Sequence, residues 1–173
     1  MTLRFRLPRL TSLVALVALV ALAALALVVP EGQSSADSGG QSPFTTLLGS
    51  WGGSGEYQLS DGKTERVKCN AYYTGGGTQL GMVIRCASEG SKIEIRSKLS
   101  NSGGRITGSW EERTYNAEGS ATGEATGGDK ISLQISGGVS GTMQVSYTPS
   151  RQSVSISTQG TALKSVNITL GRS

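Results

Sequence analysis

From Thr64 to Leu170 the chain alternates apolar and polar residues in short runs broken by glycine pairs, triplets and Asx-type turns. A period of two sends successive side chains to opposite faces, so each run reads as a strand with one face toward a core and one toward water. Lys92 to Leu99 shows it most clearly, with Ile93, Ile95 and Leu99 set against Lys92, Glu94, Arg96 and Lys98. Thr64 to Tyr73 puts Val67, Cys69, Ala71 and Tyr73 on one face and Arg66, Lys68 and Asn70 on the other. Gly75-Gly76-Gly77 supplies a turn, and Thr78 to Ala87 continues with Leu80, Met82, Ile84 and Cys86. Further runs follow. Ile106 and Trp110 share a face in Arg105 to Thr114, as do Ile131, Leu133 and Ile135 in Lys130 to Ser136. Thr142 to Thr148 turns Met143, Val145 and Tyr147 inward, Gln152 to Thr158 turns Val154 and Ile156, and Lys164 to Leu170 turns Val166, Ile168 and Leu170.

Runs of this kind joined by short turns predict an all-β antiparallel meander. Twist accumulates along such a sheet and free edges invite aggregation, so a long meander curls on itself. The expected fold is an up-and-down or partly open β-barrel of about 8–10 strands, with a two-sheet sandwich as the alternative. Residues 117 to 127, rich in Gly, Ala and Thr, have little to bury and mark a thin or open side. Heavy use of Gly, Ser and Thr with few prolines fits a turn-rich β protein.

The N-terminus has a different character. Arg4, Arg6 and Arg9 precede an apolar run from Leu13 to Val29, which Pro30 ends, and Ser34-Ser35-Ala36 offers small residues to a signal peptidase. This pattern is that of an export signal, giving a signal helix in residues 1–36 and cleavage after Ala36. An uncleaved anchor is the rival, because Leu10 to Val29 has the length that spans a bilayer. Glu31 to Ser42 is polar and Ser/Gly-rich, so residues 37–42 read as a flexible linker before a single domain over 43–173. Pro43 to Leu48 is expected to form one helical turn, with Ser42 as cap and Pro43 at the first position. The expected location is therefore periplasmic or secreted. Three of the bases behind the formal charge of +4 lie in the leader, and the rest are spread along the chain. No nucleic-acid partner is expected.

Cys69 and Cys86 are the only cysteines, on the apolar faces of adjacent strands and about equally far from the Gly77 turn. In an oxidising compartment this predicts a structural disulfide across one hairpin.

Histidine is absent. The commonest general base, the usual zinc ligands and a proximal haem ligand are missing with it. Ser60-Asp61-Gly62-Lys63 fits an S-x-x-K pattern, but Asp-Gly between two strands reads as a hairpin turn. Glu111 and Glu112 point to opposite faces and cannot act as a pair. Glu112 shares a face with Ile106 and Trp110 and is expected to point into the core or a cavity mouth, where it could hold a polar ligand group. Glu65 sits at the rim of the Cys69 face. No catalytic residue, metal site or cofactor is expected, and the chain is not expected to be an enzyme.

The string Leu47-Leu48-Gly49-Ser50-Trp51-Gly52-Gly53-Ser54-Gly55-Glu56-Tyr57 resembles the opening of the calycin barrels, the lipocalin-like proteins, and is nearest to nitrobindin-type barrels. The resemblance implies a barrel in which Trp51 packs under a basic residue from near the end of the chain, here Arg172. It also implies haem held by a histidine near the C-terminus, which this chain lacks. The domain is similar as well to a group of small exported alphaproteobacterial proteins, through Glu65-Arg66-Val67-Lys68-Cys69, Arg85-Cys86-Ala87-Ser88, Ile106-Thr107-Gly108-Ser109-Trp110-Glu111-Glu112 and Gln152-Ser153-Val154-Ser155-Ile156. That likeness implies export and the disulfide, and adds nothing on mechanism.

Two roles are open at this point. One is a structural or partner-binding protein of the cell envelope. The other is a lipocalin-like carrier of a small apolar or amphipathic ligand, with Tyr73, Met82, Trp110, Glu112, Met143 and Tyr147 as candidate ligand-binding residues on the inner face.

Overall fold

The computed structural model describes residues 42–173. The expected signal helix and most of the linker lie outside that range. A 3-10 turn over Thr45–Leu47 leads into ten strands. These are β1 (Gly49–Leu59), β2 (Thr64–Gly76), β3 (Gln79–Ala87), β4 (Lys92–Ser102), β5 (Arg105–Glu112), β6 (Ala117–Thr126), β7 (Lys130–Gly137), β8 (Ser140–Tyr147), β9 (Arg151–Gln159) and β10 (Leu163–Arg172).

Each strand pairs with its sequence neighbours, and β1 pairs antiparallel with β10, so the meander closes into a barrel without a sheet edge. The expected all-β antiparallel barrel is what forms, closed rather than partly open. Inward residues are the apolar ones that the alternation assigns, and a single core runs through Tyr57, Val67, Tyr73, Met82, Leu133 and Ile168.

Residues 117 to 127 depart from expectation. They contain β6, fully paired to β5 and β7, and leave no open side. The small side chains have a steric reason. Gly123 lies between Ile106 and Leu133 in the pairing register, and a Cβ there would fall 1.9 Å from the Ser132 carbonyl oxygen. Inward glycines of this kind let a strand bend sharply enough to close a barrel. Low bulk thus marks curvature here, not a gap.

The two barrel ends differ. The end reached by Phe44 and Arg172 is plugged. Phe44 and Leu47 of the N-terminal segment are buried there with Trp51, Ile106 and Leu170. The expected turn over Pro43–Leu48 is shorter than anticipated, a 3-10 turn of Thr45–Leu47, while the Ser42 hydroxyl accepts the Phe44 N–H at 3.3 Å. Trp51 Nε1 donates to the Leu47 carbonyl at 2.7 Å, which fastens the turn to the barrel wall. Arg172, opposite Trp51 in the β1–β10 register, lies over the indole at 4.3 Å. Its guanidinium also donates to the carbonyls of Thr46, Leu48 and Pro149.

Candidate functional site

The other end carries the turns that follow β1, β3, β5, β7 and β9. Alternation makes its inward side chains apolar, yet they are only half-buried. Ile95, Trp110, Ile135, Ile156, Leu163 and Val166 line this end, packed on the core below and open to water above. The barrel thus has one plugged end and one end whose inward side chains are apolar and half-buried.

The rim is polar and ordered. Glu65 pairs with Lys63 at 2.7 Å and accepts the Ser88 hydroxyl at 2.9 Å. Hydrogen bonds from Lys63, Tyr57 and Ser88 hold its carboxyl down at about 2, against an ordinary 4.5. The sign follows from the depressed value. These contacts stabilise the fold above about pH 4.5, and the contribution is lost as pH falls through about 2. Glu65→Gln should therefore flatten the dependence of melting temperature on pH in that window relative to the parent chain, as read by circular dichroism.

The six candidate ligand-binding residues do not form one site. Trp110 is at the open end, where its Nε1 donates to the Ser136 carbonyl at 3.2 Å. Met82 and Met143 are buried in the barrel wall and belong to the core. Tyr73 and Tyr147 belong to strand ends on the plugged side. There the Tyr73 hydroxyl donates to Gln152 Oε1 at 2.8 Å, deep in the fold. Burial pushes the Tyr73 hydroxyl well above its ordinary range, and burial with the nearby Asp129 charge raises Tyr147. Gln152 Nε2 and Tyr147 Oη are buried without a hydrogen-bond partner. Such orphans cost stability; Gln152 shares the inward parity of Val154 and Ile156, but glutamine is usually an outward residue, so its type hid it.

Glu112 corrects the reading of an inward carboxylate waiting for a ligand. Its oxygens accept the backbone N–H groups of Thr114, Tyr115 and Glu94 at 2.9, 2.6 and 3.3 Å. It is a turn clamp at the end of β5, as carboxylates near free backbone donors often are. Sequence reasoning missed the apolar ring as a set, although Ile95, Trp110, Ile135, Ile156 and Val166 each lie on the inward face of their run; Leu163 lies before the last run, beside the register shift at Gln58/Leu59. Distance from the plugged end is what unites them, and that depends on strand stagger.

Cys69 and Cys86 are opposite each other in the β2–β3 register and form a disulfide. Among the described residues no three His, Cys, Asp or Glu side chains gather as a metal site would require.

The fold and this site define a closed antiparallel β-barrel plugged at one end. The chain is similar in structure to Rv2717c from M. tuberculosis, with a TM-score of 0.59 and 17% identity over 76% of this chain and 94% of that one. It is also similar to the S-type phycobiliprotein lyase CPES from Guillardia theta, with a TM-score of 0.51 and 15% identity over 75% and 89% of the two chains. At these identities the likeness is one of fold. No protein-family model and no curated sequence matches the chain.

Proposed function

We propose that this protein is an exported, non-catalytic carrier that takes a small apolar or amphipathic molecule into the open end of its barrel. The observation that carries the reading is the ring of half-buried apolar side chains opposite the plugged end. Soluble proteins seldom leave such a contiguous apolar surface facing water without a use. The leader and the likeness to small exported alphaproteobacterial proteins support a periplasmic setting. The lack of histidine argues against haem and against the commonest acid-base chemistry. A phycobiliprotein lyase has a barrel of similar form.

Native mass spectrometry of the mature protein from its host should show an extra mass that is lost on denaturation. The apolar dye N-phenyl-1-naphthylamine should bind with a rise in fluorescence. Ile156→Lys should weaken dye binding by about tenfold, since a charge would then face the apolar guest. Ile156 is already half-buried at the rim, so its circular dichroism should stay that of the parent. A bare mass together with dye binding indifferent to Ile156→Lys would refute the carrier reading.

A further inference from the structure

We propose that the outer wall of the barrel carries a furrow for a linear acidic polysaccharide. This goes beyond the carrier reading and is independent of it, because the furrow lies on the outer face of the wall and the apolar ring on the inner.

The spread of bases along the sequence is misleading about their place in space. Alternation turns Arg66 and Lys68 of β2, Arg85 of β3, and Lys92 and Arg96 of β4 outward. Register then gathers them. Lys68 is opposite Ala87, which is opposite Lys92, while Arg85 is opposite Glu94. Arg113 joins from the turn after β5, its backbone N–H bonded to the Glu94 carbonyl. Lys68, Arg85, Lys92 and Arg113 line one groove of about 570 Å³ in which Glu94 is the sole acid. Glu94 accepts the Nε of Arg85 at 2.8 Å and of Arg96 at 2.7 Å, which orients both guanidiniums and leaves their Nη forks outside those two contacts.

At Lys68 and Ala87 this groove runs into a second, of about 1050 Å³, across the outside of β1, β10 and β9. The character changes there. Ser54, Ser153, Ser155, Asn167 and Thr169 supply hydroxyls and an amide, while Glu56 and Glu89 balance Arg66 and Lys68. The Ser155 hydroxyl donates to Asn167 Oδ1 at 2.9 Å, so this arm is a lattice of small hydrogen-bonding groups.

Among the described residues the two exposed large hydrophobic side chains are Tyr72 and Tyr115, 44% and 69% exposed. Both lie beside the cationic groove. Tyr72 is the next outward residue after Asn70 on β2, and Tyr115 follows Thr114, a lining residue, with its hydroxyl 3.2 Å from Ser91 Oγ. Exposed tyrosines offer a flat apolar face with a polar tip, which suits the C–H face of a sugar ring. Cations for acid groups, tyrosines for ring faces and hydroxyls for sugar hydroxyls therefore occur along one continuous furrow. A nucleic acid would present a phosphate at every residue and would call for cations along the whole length, which the hydroxylic arm does not provide.

The test is affinity electrophoresis of the mature chain through gels containing polygalacturonate, neutral dextran, polyglutamate or poly(dT). Polygalacturonate should retard the protein, less so as salt rises, and dextran should not. Lys68→Gln with Arg85→Gln should weaken the interaction about tenfold, as expected for losing two ionic contacts. Asn167→Asp should weaken it through the uncharged arm, whereas Lys130→Gln on the far wall should leave it unchanged. All the substituted side chains are exposed, and the melting temperature of each variant checks that the fold is kept. No retardation by polygalacturonate would overturn the proposal. So would equal retardation by polyglutamate or poly(dT), which would reduce the furrow to a general anion patch, and so would indifference to Asn167→Asp.

Discussion

Trp51→Ala should lower the folding free energy by about 4 kcal/mol, the range for emptying a buried aromatic site. Trp51 is 1% exposed and sits where the plug meets the barrel wall. Three losses coincide in this substitution. The indole volume becomes a cavity beneath Phe44 and Leu47. The Leu47 carbonyl loses the Nε1 donor that it accepts at 2.7 Å. Arg172 loses the ring it covers at 4.3 Å, although its bonds to the carbonyls of Thr46, Leu48 and Pro149 remain possible. Trp51→Phe separates the terms, because it keeps most of the volume and removes the donor, and should cost about 1–2 kcal/mol. Urea unfolding followed by circular dichroism measures both. A loss below about 2 kcal/mol for Trp51→Ala would mean that the site collapses readily and that the plug does not hold this end of the barrel.

Reduction of the Cys69–Cys86 disulfide should cost about 3 kcal/mol on the chain-entropy account. The bond closes a loop with a sequence separation of 17, short enough that the denatured chain is only modestly constrained. Cys69 is 2% exposed and Cys86 is half-buried near the open end. The double substitution to serine would add the cost of placing two hydroxyls on an apolar face, so Cys69→Ala with Cys86→Ala is the cleaner variant. Its urea midpoint should match that of the parent protein in dithiothreitol. A midpoint unchanged by reductant would show that register and packing alone hold the β2–β3 hairpin.

Most of the fold is legible in the chain because alternation is local. A residue's neighbours two positions away decide its face, and Val67, Ile84, Leu133 and Val154 fall inward as their runs require. The cysteine pairing is legible for the same reason, since equal distance from one turn puts two residues opposite each other. Glu112 fails the reading because its carboxylate is taken up by two backbone donors in the turn that follows and a third, Glu94, on the neighbouring strand β4. The Gly/Ala/Thr stretch fails it because glycine has two meanings in a strand, little to bury or a place where the sheet must bend.

By itself the sequence determined a meander of strands, the positions of its turns, the inward set of side chains and the hairpin that the cysteines cross-link. Tertiary structure decided the closure of β1 on β10, the difference between a plugged end and an open one, and the gathering of Lys68, Arg85, Lys92 and Arg113 on one wall. The physical reason is that parity along a strand is set by the peptide geometry of each residue and its neighbours. Height along the barrel axis depends instead on register and stagger accumulated over ten strands, and that is settled only when the first strand meets the last.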